Sequence, residues 1–148
     1  MNIRYVADSQ EDEFSRAYLI MDDDEWIGSV EGYLNQEGVL VSVVKLFSSL
    51  YRGKGIGFEA FRKVVDELNV VCPVQKIVGS WHQDEEFQYF EDGKSTNLKL
   101  FQEGIRNGLD ENESAFQTPT GKWARKLGFT KCKVVSKSND SVTVYFER

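Results

Sequence analysis

Arg52-Gly53-Lys54-Gly55-Ile56-Gly57 lies between two hydrophobic patterns of different period. Upstream, Gly38-Val39-Leu40-Val41-Ser42-Val43-Val44-Lys45-Leu46-Phe47 is β-branched and apolar. It has too few polar residues for an exposed face, which predicts a buried, central strand over 39–47. Downstream, Ile56, Ala60, Phe61, Val64, Val65 and Leu68 recur at helical spacing. The helix they predict stops before Cys72-Pro73, because proline disfavours helical backbone in the residue before it. Strand, glycine-rich turn and helix in that order make a phosphate cradle. The first amides of a helix have no partners within it and carry the positive end of its dipole. Gly55 and Gly57 let the chain curl and let an anion approach the backbone.

Working outward, residues 3–7, 14–21 and 26–34 read as strands, with turns at Asp22-Asp23-Asp24 and Asn35-Gln36-Glu37-Gly38. Residues 8–13 are a short polar connection. Residues 76–81 form a further strand. Ser95 to Arg106 has helical spacing and ends at Asn107-Gly108, and the acidic stretches on either side read as loops. Thr118-Pro119 starts another helix, threonine as N-cap and proline at the first helical position, and this helix ends at Gly128. Residues 129–136 and 141–147 form a closing hairpin across 137–140. The expected architecture is one α/β (α+β) domain over residues 1–148, a mixed, largely antiparallel sheet flanked by helices.

Composition narrows the function classes. With 148 residues, 41% hydrophobic and 13% aromatic, the chain can build a full core. No apolar run approaches the ~20 residues of a membrane span, and no secretory leader pattern opens the chain. Cys72 and Cys132 are isolated and match no metal spacing, so buried free thiols in a reducing cytoplasm are expected. The net charge of −6 is unevenly spread. Ten acids face only Arg4 and Arg16 within residues 1–37, and nine acids face three bases within 82–113. Lys45, Arg52, Lys54, Arg62 and Lys63 form one basic island, and Lys122, Arg125, Lys126, Lys131, Lys133 and Lys137 a second. Charge runs are ordinarily solvated faces. If the two islands meet, they suit a polyanion of limited size, whereas a globally acidic chain is a poor partner for a nucleic-acid backbone.

Three phosphate sites compete for the glycine turn. A nucleoside-triphosphate loop needs Ser or Thr after Gly-Lys, and here Gly55 follows Gly53-Lys54. A dinucleotide fold needs Gly-x-Gly-x-x-Gly in a parallel βαβ unit, but Phe58 stands in the third glycine place and the preceding strands join by hairpins. Arg52-x-x-Gly55-x-Gly57 instead resembles the acetyl-CoA signature of the GCN5-related N-acetyltransferases (GNAT superfamily), Arg/Gln-x-x-Gly-x-Gly/Ala. The family's second mark, a late helix ending in Lys-Leu-Gly-Phe before a hairpin, is matched by Trp123-Ala124-Arg125-Lys126-Leu127-Gly128-Phe129. The resemblance spans about residues 24–148.

The resemblance implies a GNAT-like sheet whose central strand splays from its neighbour, with the pantetheine of acetyl-CoA lying in the gap. It assigns Lys45, Leu46 and Phe47 to that arm through backbone groups. It assigns the pyrophosphate to the amides of Gly53, Lys54, Gly55, Ile56 and Gly57, with charge from Arg52 and Lys54, and one flank of the cofactor to Trp123 and Lys126. The implied reaction is direct attack of an amine acceptor, small or peptidic, on the thioester. A base removes the amine proton, and backbone N–H near Leu46 or Phe47 stabilises the oxyanion. The base candidates are Glu31 and His82. Family members often carry a tyrosine four residues before the Gly-Phe glycine to protonate the departing thiolate. Ala124 stands there, so Tyr89, Tyr51 or solvent must substitute. The family's two helices between its first two strands are shortened or missing in residues 8–13, and a long insertion precedes the last helix. The acceptor side is therefore open, or rebuilt by residues 82–117 with Trp81, Phe87, Tyr89 and Phe90. A homodimer is a further expectation, since dimers are common in the family. The rival function is a catalytically degenerate module that binds CoA or a protein partner without turnover.

Overall fold

The computed structural model describes residues 1–9, 12–51, 53–83 and 96–148. They fall into two units, Met1–Gln75 and Lys76–Arg148. In the first, β1 (Ile3–Ser9), β2 (Ser15–Asp22), β3 (Glu25–Leu34) and β4 (Val39–Leu46) pair antiparallel, each with the next in sequence. The 16-residue helix α1 (Ile56–Val71) packs on β2, β3 and β4. Alternation along the strands explains the core: Ile20, Val30, Leu34, Leu40 and Leu46 are buried with Ile56, Ala60, Phe61, Val64, Val65 and Leu68 of α1. All six helix residues expected to be buried are so. Glycine permits the close packing here. A Cβ on Gly32 would stand 2.4 Å from a Val64 methyl, and one on Gly28 would stand 2.1 Å from the Lys45 carbonyl oxygen.

Direct β1–β2 pairing leaves no room for a helix pair between those strands, as the short polar connection predicts. A half-buried ionic knot ties α1 to the sheet. Glu67 accepts from Tyr18 Oη, from Arg16 Nε at 3.2 Å and from Lys63 Nζ at 2.9 Å. Burial alone pushes the Glu67 carboxyl up, but these hydrogen bonds outweigh it and hold the group below its ordinary range.

In the second unit, β5 (Lys76–His82) is followed by α2 (Thr96–Arg106), α3 (Glu111–Phe116), α4 (Pro119–Lys126), β6 (Lys131–Lys137) and β7 (Ser141–Glu147). β7 pairs antiparallel with both β5 and β6. The core is aromatic: Phe146 lies 6.3 Å from Trp81 and 5.5 Å from Phe116, ring centre to ring centre. Trp81, expected as a possible wall of the acceptor site, is a core residue of this unit with its ring folded over Gly79. Phe87, Tyr89 and Phe90 lie outside the described residues.

Two further expectations are corrected. The acidic stretch after Gly108 is not all loop, because α3 forms there with Asp110 capping the Glu113 amide at 2.8 Å. Neither cysteine is fully buried. Burial is still deep enough at Cys132 to push its thiol up to about 12. Among the described residues no helix is long and apolar enough to cross a membrane.

Candidate functional site

The segment from β4 to α1 is built by short local bonds. The Phe47 amide donates to the Ile27 carbonyl at 2.9 Å, extending the β3–β4 ladder by one residue. Ser48 then turns the chain: its hydroxyl accepts from the Leu50 amide at 3.2 Å and its carbonyl from the Tyr51 amide at 3.2 Å. A single 3₁₀ turn (Ser49–Tyr51) results. The Tyr51 hydroxyl lies 3.2 Å from Glu25 Oε2 and 3.4 Å from Asp22 Oδ2, anchoring the turn to the β2–β3 connection. Desolvation first, and the Glu25 and Asp22 carboxylates after it, hold this phenol above its ordinary range. Tyr51 is thus committed to structure and is a poor donor to a departing thiolate.

Gly53 and Gly55 adopt left-handed backbone, φ 71° and 79°. The sequence singled out Gly55 and Gly57 for this freedom. Gly57 instead lies buried in the first turn of α1, and Gly53 is the second residue that needs it. A Cβ on Gly53 or Gly55 would meet nothing within 4 Å among the described residues. The backbone conformation, not crowding by the described residues, requires glycine at both. Gly55 is the N-cap of α1 and has no side chain with which to cap it. The contrast with α3 and α4 is informative, since Asp110 and Thr118 cap those helices through their side chains. Among the described residues no side chain caps α1, and an anion fits the geometry of the Ile56 and Gly57 amides. Lys54, exposed between the two glycines, adds a positive charge. Arg52 lies outside the described residues.

The other expected site residues distribute as follows. Lys45 is half-buried, Leu46 buried and Phe47 exposed. An antiparallel ladder alternates its amides, and Phe47 N–H points to β3, so Leu46 N–H points away from β3. The Phe47 amide is thus committed to the β3–β4 ladder. Glu31 is exposed on β3 opposite Val43, on the face away from α1. His82 ends β5, exposed, with Nε2 3.0 Å from Ser80 Oγ. Glu31 belongs to the first unit and His82 to the second. On α4, Trp123 is half-buried and Lys126 exposed, while Ala124 is fully buried and provides no acid. Tyr89 lies outside the described residues.

The basic islands are thinner than the sequence implied. Arg62 pairs with Glu59 and Lys63 with Glu67. Arg125 pairs with Glu113 at 3.6 Å and Lys137 with Glu111 at 3.0 Å. Both of the latter acids lie on α3, the helix missed in the sequence. Its signal was the capping pattern Asp110-x-x-Glu113.

No protein-family model and no curated protein matches the sequence. Solved structures do. An acetyltransferase of the GNAT family from Streptococcus pneumoniae is 7% identical, with 93% of this chain and 68% of that one covered at a TM-score of 0.50. A domain from Methanocaldococcus jannaschii is 13% identical, with 93% and 70% covered at 0.50. The Campylobacter jejuni N-acetyltransferase PseH, solved with acetyl coenzyme A, is 10% identical, with 93% and 71% covered at 0.46. At such identities the likeness establishes architecture: the chain has the fold of the GCN5-related N-acetyltransferases.

Proposed function

We propose that this protein binds acetyl-CoA and transfers its acetyl group to an amine. The observation that carries the proposal is the start of α1, without a side-chain cap among the described residues and preceded by two left-handed glycines, in the fold of an acetyltransferase. When bound, acetyl-CoA supplies an activated thioester. The chain's own contribution begins at the glycine turn, where the α1 amides and Lys54 hold the pyrophosphate. The resemblance assigns the developing oxyanion to backbone N–H near Leu46, while the Phe47 N–H is taken by the Ile27 carbonyl. Glu31 is the preferred base because it shares a unit with the cradle, in the row of β3–β4 side chains that also holds Lys45. Being exposed, it removes the amine proton through water. His82 is the alternative. With Ala124 buried and Tyr51 committed to Asp22 and Glu25, the departing thiolate takes its proton from solvent or from Tyr89.

The same buried Ala124 favours a second reading, a module that binds CoA without turnover. Calorimetric titration of acetyl-CoA into the parent and a folded Gly55→Glu variant, followed by thiol release with a panel of amines, separates the two. Binding lost in the variant together with amine-dependent thiol release supports the transferase. Binding without release for any amine supports the module. No binding by a folded parent overturns both.

A further inference from the structure

The first unit carries an exposed apolar surface that acyl transfer does not use. Trp26 is 54% exposed, Phe47 53% and Leu50, three residues on, 76%. Trp26 and Phe47 stand on neighbouring strands with ring centres 4.9 Å apart and planes at 87°, an edge-to-face pair. The indole N–H donates to the Gly28 carbonyl at 2.7 Å, so the ring's polar group is satisfied within the unit and its orientation is held. Two large rings fixed in place and facing water form an apolar surface of the kind that marks interaction sites.

The rim of this surface is acidic. Asp22, Asp23, Asp24 and Glu25 run directly into Trp26. The Tyr51 hydroxyl joins Asp22 and Glu25 to the segment that follows Phe47. Among the described residues Arg4 alone forms an ion pair with these four carboxylates, at 4.0 Å from Asp24, which leaves a net negative rim. Lys45, half-buried near the end of β4, lies two residues before Phe47. The three apolar side chains stand half or more exposed rather than enclosed. Small molecules are held in concave sites that bury most of their surface, and exposed apolar patches with a charged border suit protein partners.

We propose that Trp26, Phe47 and Leu50, with the Asp22–Glu25 turn, dock a basic peptide segment of a partner protein. An aliphatic side chain of that segment rests on the Trp26–Phe47 pair while its lysines or arginines face the carboxylates, one of them able to lie over the indole. The inference stands whether or not the chain transfers an acyl group, since Phe47 enters the cofactor site only through its backbone.

The test is fluorescence anisotropy of a labelled peptide of about ten residues alternating lysine and leucine. It is titrated with the parent, Trp26→Ser, Leu50→Ser and the double variant Asp23→Asn/Asp24→Asn, each first checked for a parent-like unfolding midpoint. Asparagine tolerates the left-handed backbone of Asp23, φ 52°. Val70→Ser, at a side chain 87% exposed on α1, is the control. The expected result is saturable binding, weakened at least about tenfold by Trp26→Ser and by the double variant, and unchanged by Val70→Ser. Absence of saturable binding, equal loss in Val70→Ser, or equal affinity for a lysine–serine peptide would overturn the proposal. Displacement by spermine at the peptide's own concentration would also overturn it, assigning the surface to a small polyamine.

Discussion

Two glycines of the first unit are required for opposite reasons, and alanine distinguishes them. Gly55 has φ 79° and no described residue within 4 Å of an added Cβ, so Gly55→Ala carries only the left-handed backbone cost, about 1–2 kcal/mol. Gly28 has no positive φ, but its Cβ would stand 2.1 Å from the Lys45 carbonyl oxygen. Relief there requires β3 and β4 to separate, and Gly28→Ala is expected to cost about 3 kcal/mol or more in urea unfolding. Of these two requirements, the sequence showed only the first. A glycine signature is local, whereas the approach of Gly28 to Lys45 depends on a register between residues far apart in sequence. The same register, unreadable beforehand, directs the Phe47 amide to β3 and the Leu46 amide away from it. Glu67 gives the residue-scale pH dependence. Its carboxyl is held below the unfolded value of 4.5, so its stabilisation is fully present above that value and is lost as pH falls through the lower folded one. Lys63 is raised above 10.5, chiefly by its hydrogen bond to Glu67, so its share is present below 10.5 and lost as pH rises through the folded value. Glu67→Gln should therefore cost about 1–2 kcal/mol at pH 7, with the difference from the parent shrinking below about pH 4.5 in urea titrations across pH.

At the scale of elements, helices with a hydrophobic period or a Thr-Pro start were legible, and the short α3 was not, although Asp110 caps it. Thr118-Pro119 begins α4 as its sequence predicts, with Thr118 Oγ1 accepting from the Gly121 amide at 2.9 Å and donating to the Ala115 carbonyl at 2.6 Å. Because this hydroxyl is buried, Thr118→Val keeps the shape and strands both partners. A loss of about 2 kcal/mol is expected, and Thr118→Ser should restore most of it in equilibrium unfolding. Helix α3 has only six residues, too few to show a period, and it holds because Ala115 and Phe116 enter the core. Ser114 on the same helix is fully buried against Gly104, and its hydroxyl has no hydrogen-bond partner among the described residues. An apolar replacement removes that penalty, so Ser114→Ala should raise the unfolding midpoint by a few degrees, corresponding to about 1 kcal/mol.

For the whole molecule, a net charge of −6 sets the problem that an anionic cofactor must overcome. Counted along the sequence, two basic islands would attract such a ligand from a distance. In the structure Arg62, Lys63, Arg125 and Lys137, four of the islands' eleven bases, are each paired with a carboxylate, so part of the islands' charge is compensated within the fold. Ion pairing follows from tertiary contacts that a linear charge count cannot see, which is why the sequence overstated this feature while placing the glycine turn correctly. Attraction for CoA should therefore come chiefly from fixed amide dipoles at α1, which act at short range and respond weakly to salt, with Lys54 as an added charge among the described residues. Raising salt from about 50 to 500 mM, across which the Debye length shrinks severalfold, is expected to weaken CoA binding by less than about tenfold. Lys54→Gln should weaken it about fivefold, ~1 kcal/mol, at low salt and flatten the remaining salt dependence. Calorimetric titration at several salt concentrations measures both. A steep salt dependence surviving in Lys54→Gln would mean that the paired cations still act together on the ligand, and the local-dipole account of the site would fail.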